Sequence, residues 1–442
     1  MDNRFPYSSG WRDHNPNFGK KRTKRFFSKR VGLLVLFLCL LATAYILFFP
    51  VPWYQDHAKR NGNALSAITK PDSAKKKEVF EKLLIGGIED LNLDPAHIEN
   101  RFTLKKEGIP LIVESSVDTD FQAYIQHLLE TSNTLKAAVV VMRPDDGRIL
   151  AMASYDRERN GESLCLKADY PAASLFKIVS AAAAFEFADF SPDKTVSFVG
   201  RKHTLYKNQL KEKKSRYSEK ISFKRAFASS INPVFGKLGI HELDYQLLQK
   251  SAEKLFFERS IPFDFPVGKS EVFVPKDDFG MAELASGFNK GTTISPLHAA
   301  LLASAVVNDG VMMKPWIVKR VTNEAGEVLY ENRKSSMGVS MSPETAKELR
   351  ILMEDTVLHG TCRKAFYRER HRKAYKNVDL GAKTGTINDR DDRFKYDWLT
   401  AFVIPPNHKK SICIAVLGIH GKVLGVRANR LGRSIIRYYL SS

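Results

Sequence analysis

A helix that is apolar on every side must be buried on every side, and residues 172–184 read as such a helix. Pro171 and the small residues Ala172 and Ala173 lead into Leu175, Phe176, Ile178, Val179 and an unbroken alanine run at 181–184. The serine and lysine of its first turn, Ser174 and Lys177, are therefore taken indoors with it. Residues three apart share a helix face, so the Ser174 hydroxyl is expected within reach of the Lys177 amine. A nucleophile then sits beside a base, and burial loosens the lysine's proton.

The spacing alone does not choose this site. Ser-x-x-Lys begins at Ser73, Ser174, Ser191 and Ser251, and only context separates them. Ser73 lies in a lysine run that reads as a solvated tether, Ser191-Pro192-Asp193-Lys194 is turn chemistry, and Ser251 is expected on the polar side of a charged helix. Only Ser174 heads a buried helix.

Charge divides the chain. The first thirty residues hold nine basic and two acidic side chains, and residues 31–53 then run without a charge. That run is long enough to span a bilayer. Because the basic cluster from Lys20 to Arg30 precedes it, the positive-inside rule predicts a cytoplasmic tail at 1–30, a single transmembrane anchor at 31–53 and export of everything beyond. A cleaved signal peptide is the bland alternative, disfavoured by the length of the run and the lack of a small-x-small cleavage site. Of the total charge of +20, the tail carries +7, leaving +13 on the exported part, with basic runs at 201–225 and 363–376. Outside the membrane such runs meet anionic lipid and wall polymers, and nucleic acid is not expected as a partner. The exported cysteines, Cys165, Cys362 and Cys413, show no metal-ligand spacing and allow at most one bridge.

Residues 54–112 read as a polar linker and a small membrane-proximal subdomain. Periodicity then predicts a helix over 120–130, a strand over 137–142, a turn at Pro144-Asp145-Asp146-Gly147 and a returning strand to 154. The helix over 223–239 is broken at Ser229-Ser230-Ile231-Asn232-Pro233, where polar side chains can be aimed. Ser295 caps a helix beginning at Pro296, and 342–358 is amphipathic. Strand-like runs at 380–386, 399–404 and 412–419 precede a basic helix from about residue 426. Strands at both ends with helices between predict an α+β fold, one antiparallel sheet built from both ends of a domain at 113–442 and covered by helices.

Two further signals follow Ser174 in order. Ser230-Ile231-Asn232 is the one Ser-x-Asn of the chain, and Lys383-Thr384-Gly385-Thr386 carries the one Lys-Thr-Gly. Ser-x-x-Lys, Ser-x-Asn and Lys-Thr-Gly in this order mark penicillin-binding proteins and class A β-lactamases. From about residue 113 the chain resembles the transpeptidase domain of the penicillin-binding proteins. The likeness includes the hairpin 137–153, Thr293-Ile294-Ser295-Pro296-Leu297, which is similar to the family's Thr-Pro-Leu-Gln helix, Gly360-Thr361-Cys362 and Asp397-Trp398-Leu399-Thr400. Two details depart from it: isoleucine fills the middle of Ser-x-Asn, and Pro-Ala-Ala-Ser has a residue more than the common Pro-Gly-Ser, which can shift the helix start.

The resemblance implies a serine β-lactamase-like fold and a D,D-transpeptidase that crosslinks peptidoglycan through an acyl-enzyme on Ser174. Lys177, kept neutral by burial and the nearby cation Lys383, would take the serine's proton. Ser230 would relay a proton to the departing D-alanine, and Asn232 would bond the substrate amide or Lys177. The Ser174 and Thr386 N–H groups would form the oxyanion hole, with Thr384, Gly385, Thr386 and Lys383 receiving the terminal carboxylate. It further implies β-lactams as ligands, the cytoplasmic membrane and other cell-wall synthesis proteins as surroundings, no cofactor and no metal. His298 has no part in this chemistry. The stretch between anchor and catalytic domain is too short for a glycosyltransferase, so a monofunctional, class B-like protein is expected. A D,D-carboxypeptidase and a non-catalytic β-lactam sensor or wall-binding scaffold remain as alternatives. The Glu-x-x-Leu-Asn pattern by which class A β-lactamases deacylate is missing between Asn232 and Lys383, which predicts a long-lived β-lactam adduct.

Overall fold

An apolar strand with no polar alternation must be covered on both faces, and residues 136–142 make such a strand in the interior of the sheet. The computed structural model describes residues 98–441, less 107–108, 159–162, 212–215 and 390. The tail expected at 1–30, the anchor expected at 31–53 and most of the 54–112 segment lie outside the described residues. Among the described residues no helix is long and apolar enough to cross a membrane. These residues belong to one unit, Asp72–Ser442.

The chain enters through β1 (Arg101–Lys106) and β2 (Ile109–Ser115), then α1 (Thr119–Glu130). Asp118 starts α1 by accepting the Phe121 N–H at 3.0 Å. The expected hairpin follows as β3 (Lys136–Met142) and β4 (Ile149–Asp156). Next come α2 (Lys177–Phe187), α3 (Phe223–Ala228), α4 (Asn232–Lys237), α5 (Asp278–Ser286) and α6 (Pro296–Val307). Ser295 caps α6 through the His298 N–H, with Pro296 at its first turn, as its sequence predicts. β5 (Val318–Asn323), β6 (Val328–Glu331) and α7 (Pro343–Leu358) lead to β7 (Asp379–Asn388), β8 (Lys395–Ile404), β9 (Ile412–His420) and α8 (Ala428–Ser441).

The central sheet has the order β7-β8-β9-β3-β4, antiparallel throughout, so both ends of the unit supply it. Alternate residues of β3 serve the two faces. Ala138, Val140 and Met142 pack in the core that holds α2 and α6, whereas Ala137, Val139 and Val141 pack with Phe121 and Ile125 of α1 and Leu431 and Ile435 of α8. α2 is buried continuously from Lys177 to Ala184. Fully burying side chains such as Ile178 and Val179 contributes about 1.5–3 kcal/mol each, the scale needed to offset a desolvated lysine on the same helix.

Three features differ from the sequence reading. The boundary expected at 112 falls inside β2, which pairs with β5 in a four-stranded sheet ordered β1-β2-β5-β6. β8 begins at Lys395 rather than at Leu399, because Tyr396 and Asp397 pair with Ile387 and Thr386 despite their mixed polarity. Ser251 is buried, its hydroxyl donating to the Val179 carbonyl at 3.3 Å, so it faces α2 and not solvent.

Candidate active site

The start of α2 sets the site. Ser174 lies in a 3-10 turn, Ala173–Phe176, and the α-helix proper begins at Lys177. The pairing expected from the spacing is present: Lys177 Nζ lies 2.9 Å from Ser174 Oγ. Ala173 holds the left-handed region at φ 49°, an arrangement that costs an alanine on the order of 1 kcal/mol.

Two neighbours close on this turn. α5 ends at Gly287 with φ 62°, where a Cβ would come within 2.0 Å of the Ala173 carbonyl oxygen. Only glycine permits that approach, and it delivers the Ser286 carbonyl to Lys177 Nζ as a short hydrogen-bond acceptor. From the other side comes β7, where a Cβ on Gly385 would sit 3.3 Å from the Ser174 nitrogen and 3.2 Å from the Ala173 Cβ. β7 is an edge strand, so alternate backbone groups beside Ser174 are open to an extended peptide.

Lys177 is wholly buried, with Asn232 Oδ1 as its third partner at 2.8 Å. The Asn232 Nδ2 donates to the His203 carbonyl at 3.1 Å, which fixes the amide so that its oxygen faces the lysine. Burial first, and the Lys383 charge second, hold Lys177 well below the usual lysine range. A neutral amine has two N–H groups and one lone pair. The Ser286 and Asn232 oxygens can only accept and take both N–H groups, so the lone pair is left for the Ser174 hydroxyl proton. That is the donor set of a general base.

Ser230, at φ 54°, sits in the break between α3 and α4. Its hydroxyl accepts from Lys383 Nζ at 3.0 Å, and Lys383 also donates to the Thr384 carbonyl at 2.8 Å. Lys383 is fully buried, and desolvation lowers it to about 7. The five residues expected to do the chemistry therefore assemble in two halves, Ser174–Lys177–Asn232 and Ser230–Lys383. No hydrogen bond joins the halves among the described residues; Ser230 is bonded to Lys383 rather than to Lys177.

The expected carboxylate end carries partners that the sequence reading missed. Thr361 and Thr384 share a 2.6 Å hydroxyl bond, which leaves one of the two hydroxyl protons free to donate. Thr386 donates to Asp397 Oδ1 at 3.1 Å and accepts from Arg427 at 3.3 Å. Arg427 grips Asp397 with a two-pronged fork, both bonds 2.9 Å. Burial pushes the Asp397 carboxyl up, but His420, Arg427 and the Ala428 N–H outweigh it and hold the group below its ordinary value. His298 is fully buried, bonded to Ser270 and the Leu255 carbonyl, and is a core residue.

Residues 137–429 match the family model of the penicillin binding protein transpeptidase domain. Stage V sporulation protein D of Bacillus subtilis is 25% identical over 307 residues, covering 66% of this chain and 46% of that protein. Peptidoglycan D,D-transpeptidase PbpA of Mycobacterium tuberculosis is 26% identical over 345 residues, 68% of this chain and 66% of that protein. The chain thus spans between about half and two thirds of the length of these curated relatives. Among solved structures, the imipenem acyl-enzyme of penicillin-binding protein A from M. tuberculosis superposes with a TM-score of 0.62 at 20% identity, covering 74% of this chain and 79% of that one. A D,D-transpeptidase domain from Eggerthella lenta gives 0.59 at 24% identity, with 74% and 82% covered. At these identities the structural likeness establishes the fold.

Proposed function

The chain belongs to the penicillin-binding protein transpeptidase family, and from that premise we propose that it is a serine D,D-transpeptidase that crosslinks peptidoglycan stem peptides and is acylated by β-lactams. The observation that carries this reading is the wholly buried Lys177, two of whose three contacts are pure acceptors while the third is Ser174 Oγ at 2.9 Å.

Ser174 Oγ attacks the carbonyl carbon between the two terminal D-alanines while its proton passes to Lys177. The tetrahedral oxyanion lies against the Ser174 and Thr386 N–H groups. The C–N bond then breaks, and the departing amine takes a proton through Ser230, which Lys383 holds in place. An ester on Ser174 remains. The amine of a second stem peptide attacks it, forming the new amide and returning the proton to the serine. Asn232 fixes Lys177 and faces the substrate amide. Lys383, the Thr361–Thr384 pair and Thr386 with Arg427 receive the terminal carboxylate, the donor peptide lying alongside Gly385 as an added edge strand does.

The test supplies purified full chain with a D-Ala-D-Ala stem peptide and an amine acceptor. An amine-dependent crosslinked product is expected. Free D-alanine alone would indicate a carboxypeptidase, and adduct formation with penicillin but no turnover of peptide would indicate a sensor.

The same reading places the protein as a single-pass protein of the cytoplasmic membrane, with 1–30 inside, 31–53 across the bilayer, a linker and small subdomain at 54–112, and the catalytic domain at 113–442 outside. Residues 31–53 carry no charge and follow seven basic residues between Lys20 and Arg30, which supports that orientation. Protease added to spheroplasts is expected to digest the chain beyond Trp53 and spare the tail. A protected C-terminal domain would overturn the export of the domain.

A further inference from the structure

The basic run 363–376 has no part in the chemistry above, yet the fold brings its first turns against the start of α8. Lys364, Tyr367 and Arg368 from the run and Arg427, Arg430 and Arg433 from the α8 side line a cavity of about 600 Å³. None of Lys364, Arg368, Arg430 and Arg433 has a carboxylate within ion-pair distance among the described residues, whereas Arg427 is held by Asp397. The Arg433 Nε is shut off from solvent with no hydrogen-bond partner. Like charges gathered without counter-charges repel, and an anion in the cavity relieves that repulsion.

The position of the cavity says which anion. Thr361 lies in its wall, and the Thr361 hydroxyl is bonded to Thr384. Arg427 lies in the same wall and donates to Thr386. The cavity therefore borders the same strand, β7, whose Gly385 lies against Ser174. Planar guanidinium forks match carboxylates two bonds at a time. Resting on the transpeptidase reading, we propose that this cavity docks the acyl acceptor: a stem peptide whose side carboxylates are held by Arg430, Arg433, Lys364 and Arg368 while its amine is presented to the Ser174 ester. The acceptor is selected by negative charge, and a carboxamide at the same positions is discriminated against.

The test separates docking from turnover. Full chain in detergent micelles, with Ser174 first acylated by a penicillin to fill the donor site, is titrated with a fluorescent stem peptide bearing free side carboxylates, read by anisotropy. Binding is expected to weaken at high salt, and by about tenfold in Arg430→Gln/Arg433→Gln or when the peptide carboxylates are amidated, with the rate of penicillin acylation unchanged. Acylation also reports that the variant is folded. Should that pair lose it, Lys364→Gln/Arg368→Gln carries the same comparison from the other wall. Equal affinity of parent and variant, equal affinity for carboxylate and carboxamide peptides, or tighter binding of poly(glycerol phosphate) than of the peptide overturns the proposal. A chain that binds the carboxylate peptide in the expected way but never transfers its acyl group to it keeps the docking site and overturns the transpeptidase reading.

Discussion

Incubated with an excess of a penicillin, the full chain is expected to gain the mass of one acyl group, located on Ser174, and Ser174→Ala is expected to gain none. The four Ser-x-x-Lys serines separate on physical grounds. Ser251 is buried against α2 with its hydroxyl committed to the Val179 carbonyl. Ser191 stands exposed in a turn, and the Lys194 amine is bonded to the Asp189 carbonyl. Ser73 lies outside the described residues, in a lysine-rich stretch of the sequence. Ser174 alone has an amine at 2.9 Å whose two N–H groups are already taken. Removing a nucleophile that works as a unit with its base costs on the order of 10³-fold or more in rate. The fold loses one hydrogen bond, about 0.5–1.5 kcal/mol, so the alanine variant should unfold close to the parent. The adduct should be long-lived, since no Glu-x-x-Leu-Asn loop is present between Asn232 and Lys383. Intact-mass spectrometry with peptide mapping decides: an adduct on another serine ends the assignment, and rapid return to the unmodified mass indicates a β-lactamase.

Legibility followed the range of the interactions. Elements whose causes are local were readable: the Ser295–Pro296 start of α6, the amphipathic run of α7, the apolar run of β3, and α2, whose apolar surround required burial. The site was readable as three short motifs because catalysis keeps each on one turn or one strand. Their joining was not. The Ser286 carbonyl reaches Lys177 from 109 residues away, and Thr361, Asp397 and Arg427 meet the Thr384–Thr386 strand only once β7, β8 and α8 have packed. None of these leaves a spacing signal. Ser251 was misread because its helix carries charge on neighbouring positions while its own face packs on α2. The sheet formed by β1, β2, β5 and β6 was likewise hidden, its strands lying some two hundred residues apart with short, mixed patterns.

Lys177→Met is expected to abolish acylation while the chain still folds at neutral pH. Two effects oppose each other at this position. The amine is the one base placed on Ser174, and loss of a positioned base costs about 10²–10⁴-fold. Its burial, by contrast, is a cost to the fold: the folded chain holds the Lys177 proton less tightly than the unfolded chain does, so folded stability is reduced below the ordinary lysine value and recovers as pH rises toward it. An apolar methionine removes that cost and keeps the volume, and in exchange leaves the Asn232 and Ser286 oxygens without the lysine's N–H groups, about 1–3 kcal/mol each, so the two changes largely offset. The same protonation governs rate. Because only neutral Lys177 accepts the serine proton, the second-order rate of acylation by a carboxylate-bearing substrate should rise with pH as the amine deprotonates. Lys383 acts in the opposite sense. Lowered to about 7, it loses its charge as pH climbs through that value, and with it part of the attraction for the carboxylate, so the profile should fall again on the alkaline side. Arginine stays charged throughout, which makes Lys383→Arg the decisive comparison: it should retain more acylation than Lys383→Ala and lose the alkaline fall, although its planar fork fits the space of an ammonium poorly. Stopped-flow acylation rates between pH 5 and pH 10, at about the ordinary range of these groups, measure both limbs. Equal rates for the arginine and alanine variants, or an alkaline limb unchanged in Lys383→Arg, would show that Lys383 works by shape and not by charge.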